Sequence, residues 1–166
     1  MVNDDLDILA RTLYGEAAAN DENDARAIAH VVINRVNYPN WPSSASAVCL
    51  QPWQFSCWNA NDPNRERILN ASGQWFERCR QIAGDVLNGR SDDPTRRSTH
   101  YHTPNVSPRW SRGKTPVFQT RGHLFFNNID TPPPRDAREA LDQERPLRDT
   151  RTARGAAAVG GVGGIV

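Results

Sequence analysis

Only one lysine and one methionine occur among the 166 residues of this chain. Lys114 stands against nineteen arginines, a bias that reflects genome composition more than mechanism. The three cysteines (Cys49, Cys57, Cys79) are an odd number in no zinc-finger spacing. They read as buried thiols, with a Cys49–Cys57 disulfide as the alternative. No apolar run is long enough to cross a bilayer, which needs about 20 residues. The small, apolar stretch 155–166 has twelve. The opening MVNDDLDILA lacks the basic n-region and apolar core of a secretory signal. Synthesis in a cytoplasm is therefore expected, with any target in the wall or periplasm reached by another route. A formal net charge of +1 gives no global argument for a nucleic-acid partner, and none is expected.

The length fits one domain plus a tail, and a chain of this size can bury a core without staples. The charges are unevenly spread. Residues 1–24 hold seven acids against Arg11 alone, whereas residues 90–121 hold seven bases against Asp92 and Asp93. A basic face suits an anionic polymer, and a solvated arginine-rich surface reads equally well.

Leu6, Leu9 and Leu13 recur at helical spacing and predict a helix over 4–18, with Glu16 near its end. Asp21, with Asp24 three residues on, is expected to cap a second helix. That helix buries Ala25, Ile28, Val32 and Val36 and ends before Pro39. Residues 40–63 carry three prolines and three tryptophans, a structured loop with one short helix near 44–49. Asn64 is expected to cap the next helix. Trp75, Phe76, Cys79, Ile82, Ala83 and Val86 form another stripe, stopped by Asn88-Gly89. Beyond Pro94 the pattern changes to short strands at 99–103, 115–120 and 122–126. Helices followed by a small β-rich portion make an α+β chain. Thr131-Pro132-Pro133-Pro134 ends the domain, placed at 1–130. Residues 131–166, Pro-rich, then charged, then rich in glycine and alanine, read as a flexible tail rather than an anchor. No stable membrane insertion is expected for 1–130, and a monomer is.

Three clusters carry chemistry. In Tyr14-Gly15-Glu16-Ala17 a carboxyl at a helix end can look into a cleft while its helix stays packed. Desolvated by apolar neighbours, such a group serves as a general acid. On spacing alone it is equally a solvated helix-end glutamate. In Gln51-Pro52-Trp53-Gln54-Phe55-Ser56-Cys57-Trp58, amides, a hydroxyl and aromatic rings sit together, as in a glycan cleft. The plainer reading makes Trp53 and Phe55 core and the polar groups turn formers. In the third cluster His100 and His102 share one strand face. With His123 they would make a three-histidine zinc site with an open water position. Structural histidines bonded to backbone or carboxylate are the competing reading.

Four blocks occur in an order that resembles a known family. They are residues 10–17 around Tyr14-Gly15-Glu16, residues 27–36 around Ile33-Asn34-Arg35, residues 48–56 around Gln51-Pro52-Trp53-Gln54-Phe55-Ser56, and Thr99-His100-Tyr101-His102 followed by Gly122-His123-Leu124-Phe125-Phe126. This series is similar to the cell-wall hydrolases typified by the spore cortex-lytic enzymes of bacilli. The resemblance implies a lysozyme-like fold, mainly helical with a small β-rich portion near 99–126. It implies Glu16 as the catalytic acid and a cut between N-acetylmuramic acid and N-acetylglucosamine in peptidoglycan glycan strands. Block position assigns substrate contacts to Gln54, Phe55, Ser56, Tyr101 and His102. Neither a metal nor another cofactor is called for. Histidines at 100 and 102, where spore enzymes tend to have tyrosines, and the absent leader and wall-binding repeat turn the expectation from a spore role to a phage or prophage endolysin.

A hydrolase would want a second carboxylate near Glu16. Asp62, Asp85 and Asp93 read more simply as surface or capping residues. Lytic transglycosylation, giving 1,6-anhydro products with Glu16 as acid and base, needs none. Two rivals remain at this stage. One is a zinc amidase using His100, His102 and His123 to cut the peptide from muramic acid. The other is a non-catalytic wall-binding module.

Overall fold

A computed structural model describes residues 4–130 of the protein. The Pro-rich, charged and Gly/Ala-rich segment 131–166, read above as a flexible tail, lies outside the described residues.

Helix α1 (Asp4–Glu16) begins with Asp4, Asp5 and Asp7, whose charges suit a helix N-terminus. Leu9, Thr12, Leu13 and Glu16 are its buried residues apart from Ala10. Steps of three and four place them on one face, so Glu16 ends the buried stripe rather than the solvent face. The helix stops two residues short of the expected end. Ala17 N–H still reaches Leu13 O at 2.9 Å, but Ala18 N–H donates to Asp24 Oδ2 at 2.8 Å and turns the chain.

Helix α2 (Glu22–Val36) starts where expected, with Asp21 accepting the Asp24 N–H at 3.1 Å. α3 (Ala45–Cys49) is capped by Ser44, and Asp5 Oδ1 takes its Ser46 N–H at 2.8 Å. α4 (Asn64–Leu69) corrects one expectation. Asn64 is its first helical residue, not its cap, and Asp62 Oδ1 accepts the Asn64 N–H at 2.8 Å. α5 (Gln74–Leu87) buries Phe76, Cys79, Ile82, Ala83 and Val86. It ends at Leu87, and two residues on Gly89 takes a φ of +68°, open to glycine at little cost. Two short 3₁₀ turns, Ser56–Trp58 and Arg109–Ser111, were not foreseen.

Strands β1 (His100–His102), β2 (Phe118–Gln119) and β3 (Leu124–Phe126) form an antiparallel sheet in the order β1-β3-β2. The expected strands exist but are shorter. Pro104 and Pro116 lack the N–H a ladder needs, which limits β1 and β2. Tyr101 pairs with Phe125. Both point inward and join the helical core of Leu9, Leu13, Ile28, Val32 and Ile82. Phe126 and Trp110 form a second, small core with Val106, Leu124 and Ile129. The α+β expectation therefore holds, with the sheet dividing two apolar clusters. All three cysteines are free and buried, so the thiol reading stands over the disulfide.

Candidate active site

Glu16 is 5% exposed, and its Oε1 accepts the Cys57 N–H at 3.3 Å. One glycine and two arginines fix that arrangement. A Cβ on Gly15 would stand 2.8 Å from Ile68 Cγ2 and 2.9 Å from Cys57 Cβ, closer than packed carbons tolerate. The absent side chain is what lets the end of α1 press against the loop carrying Cys57. Arg67 on α4 donates to Tyr14 O (3.3 Å) and Gly15 O (3.4 Å), capping the C-terminal carbonyls of α1. In return Arg11 on α1 donates to Ile68 O (2.7 Å) and Leu69 O (2.9 Å) at the end of α4. Each helix thus supplies the cation that the other's C-terminus favours.

The groups around Glu16 are kept protonated. Burial, then the Glu16 charge and its hydrogen bond, push the Cys57 thiol far above the usual range. Burial and the Glu16 charge also hold the Tyr101 phenol well above its ordinary value, against the opposing pull of Arg35. Both act as neutral groups beside the carboxyl. Among the described residues, Tyr101 Oη and His123 Nε2 are buried without a hydrogen-bond partner, and their rings meet edge-on with centroids 4.8 Å apart. Buried polar atoms are normally paired, so this pair marks the inner face of the sheet as polar where the helical core meets it.

Gln54 and Phe55 do not form an open wall. Both are buried, and they surround Arg35, which is itself fully buried on α2. Arg35 donates to Gln54 Oε1 at 3.3 Å and to Thr99 O at 2.7 and 2.8 Å. Its guanidinium lies 4.1 Å from the Trp41 ring centroid and 5.6 Å from that of Phe55. Burial lowers its pKa to about 9, which keeps it cationic at neutral pH. One buried cation therefore ties α2 to the loop before Glu16's partner Cys57 and to the start of β1. Ser56, half-buried, opens the 3₁₀ turn that contains Cys57.

Strand alternation separates the three histidines. His100 and His102 share a face and both pack on Trp110, with centroids 5.0 and 5.5 Å away. His123 lies with Tyr101 and Phe125 on the other face. The proposed zinc triad is thus not brought together, and no group of three metal-binding side chains occurs among the described residues. His102 Nδ1 lies 2.7 Å from Thr103 O, which can only accept, so that nitrogen carries the hydrogen. Burial lowers the pKa of both His100 and His102, so both are neutral packing groups at pH 7. His123 Nδ1 instead meets both oxygens of Asp24 at 3.0 Å.

Arg35 and Asp24 were missed as positioning residues, although α2 carries a legible signal for them. Asp24, Ile28, Val31 and Arg35 fall at steps of three and four, so two charges stand on the buried stripe. Asp24 is fully buried and accepts from Ala18 N–H, from the Thr120 hydroxyl and from His123. A Cβ on Gly122 would sit 2.7 Å from Asp24 Oδ2, so this second glycine makes room for the carboxylate. Burial alone would raise the Asp24 pKa, but the bonds from His123, Thr120 and Ala18 outweigh it and hold the group below the ordinary value.

These features define a class: an α+β domain whose single sheet backs onto helices that present one buried glutamate at a helix end. Residues 19–126 match the Cell Wall Hydrolase family, and the chain belongs to it. The matched span opens just after Glu16. The spore cortex-lytic enzyme of Bacillus subtilis is 29% identical over 128 residues, 74% of this chain and 37% of that protein. The spore cortex-lytic enzyme of Halalkalibacterium halodurans is 28% identical over 130 residues, 75% of this chain and 35% of that one. The chain thus spans just over a third of the length of these curated relatives. The catalytic domain of the germination-specific lytic transglycosylase SleB from Bacillus anthracis shares the fold, with a TM-score of 0.62 at 22% identity, covering 76% of this chain and 97% of that domain.

Proposed function

We propose that the protein is a peptidoglycan lytic transglycosylase that cuts between N-acetylmuramic acid and N-acetylglucosamine, with Glu16 as its lone acid and base. The observation that carries this reading is the buried Glu16 carboxyl held by Cys57 N–H, while the other candidate carboxylates are engaged elsewhere. Asp62 bonds the Asn64 N–H, Asp85 pairs with Arg90 on the surface, and Asp93 accepts from Thr95, Arg97 and Asn34. Asp24 is taken up by His123 and Thr120. The solved relative described as a lytic transglycosylase supports the same reading.

In this mechanism Glu16 gives its proton to the glycosidic oxygen as the C1–O bond breaks and positive charge grows on C1. The muramic C6 hydroxyl then attacks C1 and returns its proton to Glu16. The products are a 1,6-anhydro end and a strand with a free hydroxyl, and no water is consumed. Ser56, half-buried and next to Cys57, is assigned to substrate contact, whereas Tyr101 is fully buried and belongs to the core behind the site. Gln54, Phe55 and His102 act from behind, by holding the wall of the site.

Mass spectrometry of muropeptides released by the wild type tests the reaction, with Glu16→Gln as control. Anhydro ends that vanish in the variant support it. Reducing ends would point to hydrolysis, and undiminished lysis by the variant would remove Glu16 from the mechanism. An endolysin role at the wall goes with this proposal. Lysis of permeabilised vegetative cells in preference to decoated spores is the expected result.

A further inference from the structure

The loop that holds Glu16 continues into a hollow of about 540 Å³ walled by Gln51, Trp53, Trp58, Asn59, Asn61 and Asp62. Its position relative to Glu16 is fixed by two bonds. Cys57 donates to Glu16, and the next residue, Trp58, donates from Nε1 to Thr12 Oγ1 at 2.9 Å. Thr12 and Glu16 are four residues apart on one helix face, so Trp58 lies about one turn along α1 from the carboxyl. The Trp58 wall of the hollow is therefore about one helical turn from the candidate acid.

Trp53 is the unusual residue in it. Its φ of +67° is in the left-handed region, where a bulky aromatic residue is a genuine outlier. It is also 42% exposed, so no burial compensates that backbone. Strain kept at an exposed position points to function rather than packing. The conformation holds an indole at the rim of a hollow whose other polar groups are amides and a carboxylate. Gln51 Oε1, on the same wall, is buried without a hydrogen-bond partner among the described residues. Aromatic faces with a few amide donors and acceptors suit a pyranose bearing hydroxyl and acetamido groups. They suit a lipid or a metal ion poorly.

We propose that this hollow is a glycan subsite in which Trp53 stacks on an N-acetylhexosamine ring next to the one cleaved at Glu16. The proposal rests on the glycan-cutting reading above and adds the residue that seats the uncleaved neighbour. Because Trp53 is exposed and Trp58 carries the anchoring bond to α1, the Trp53 side chain can be removed without touching the core.

Titration of the Glu16→Gln protein with an N-acetylglucosamine hexamer, followed by tryptophan fluorescence and calorimetry, tests it. Trp53→Ala in that background is expected to bind about tenfold more weakly, and Trp53→Phe to stay within about threefold. In the active protein, Trp53→Ala raises KM on sacculi with kcat nearly unchanged, and thermal unfolding does not move. Equal hexamer affinity of the Trp53→Ala and parent proteins would overturn the subsite while leaving the glycan reading intact. A Glu16→Gln protein that binds no hexamer, together with a wild type that releases no glycan fragments, would overturn both.

Discussion

Asp24 and Glu16 are buried carboxylates on either side of the turn between α1 and α2, and each depends on a glycine with no room for a side chain. Asp24 is surrounded by donors from three segments, Ala18, Thr120 and His123, and its charge is held in place. It joins α2 to the turn between β2 and β3 and to the chain just after α1. Glu16 stands at the end of a buried stripe and meets the Cys57 loop, which also builds the hollow. A carboxylate that accepts this many fixed hydrogen bonds cannot trade protons without loosening the fold. Burial alone therefore does not tell a structural acid from the one proposed to react.

The sharpest way to break this contrast is to neutralise each acid in turn. Glu16→Gln should cut muropeptide release by about 10²–10⁴-fold, the span of general acid–base catalysis, while stability stays within about 1 kcal/mol. Asp24→Asn should do the reverse, costing about 3–5 kcal/mol in urea unfolding because His123 and its neighbours lose a buried partner. If Asp24→Asn left stability intact and removed activity, the division of labour would be wrong. A smaller effect is expected at Gly15→Ala. Helix propensity favours alanine by about 1 kcal/mol, but the clash with Cys57 and Ile68 costs about 1–3 kcal/mol. Net destabilisation with a disproportionate loss of turnover would show that the Cys57 loop sets the Glu16 geometry. The smallest effect is on acid stability. Asp24 and Asp93 both have folded pKa values below the ordinary carboxylate value. Their stabilisation is full above the unfolded pKa of about 4 and is lost as pH falls through the folded values. Asp24→Asn should flatten the stability profile below about pH 4 and leave it parallel above.

Much of this was legible in order and spacing. The stripe of Leu6, Leu9 and Leu13 predicts the helix, but spacing alone leaves Glu16 equally a solvated residue, and only the packing of α1 puts it on the buried face. Asp21 as a cap and Gly89 as a stop follow from local backbone chemistry. What failed depended on contacts that residue type and spacing do not reveal. Asn64 lost the capping role because Asp62, two residues earlier, reaches its N–H first. Strand alternation correctly pairs His100 with His102, but no local pattern says which face His123 takes once β3 lies against β1. Asp24 and Arg35 were readable as charges on an apolar stripe, yet only their partners 64 and 99 residues away explain why they are buried there.

The three buried thiols have a consequence for where the protein can mature. Burial pushes the Cys49 and Cys79 thiols up to about 12 and Cys57 higher still, so almost no thiolate is present at neutral pH. Exchange and oxidation proceed through the thiolate, and no cross-link among these thiols holds the fold. The folded state therefore persists under reducing or oxidising conditions, and dithiothreitol should not shift its unfolding midpoint. Passage from a reducing to an oxidising compartment asks nothing of this domain's covalent chemistry.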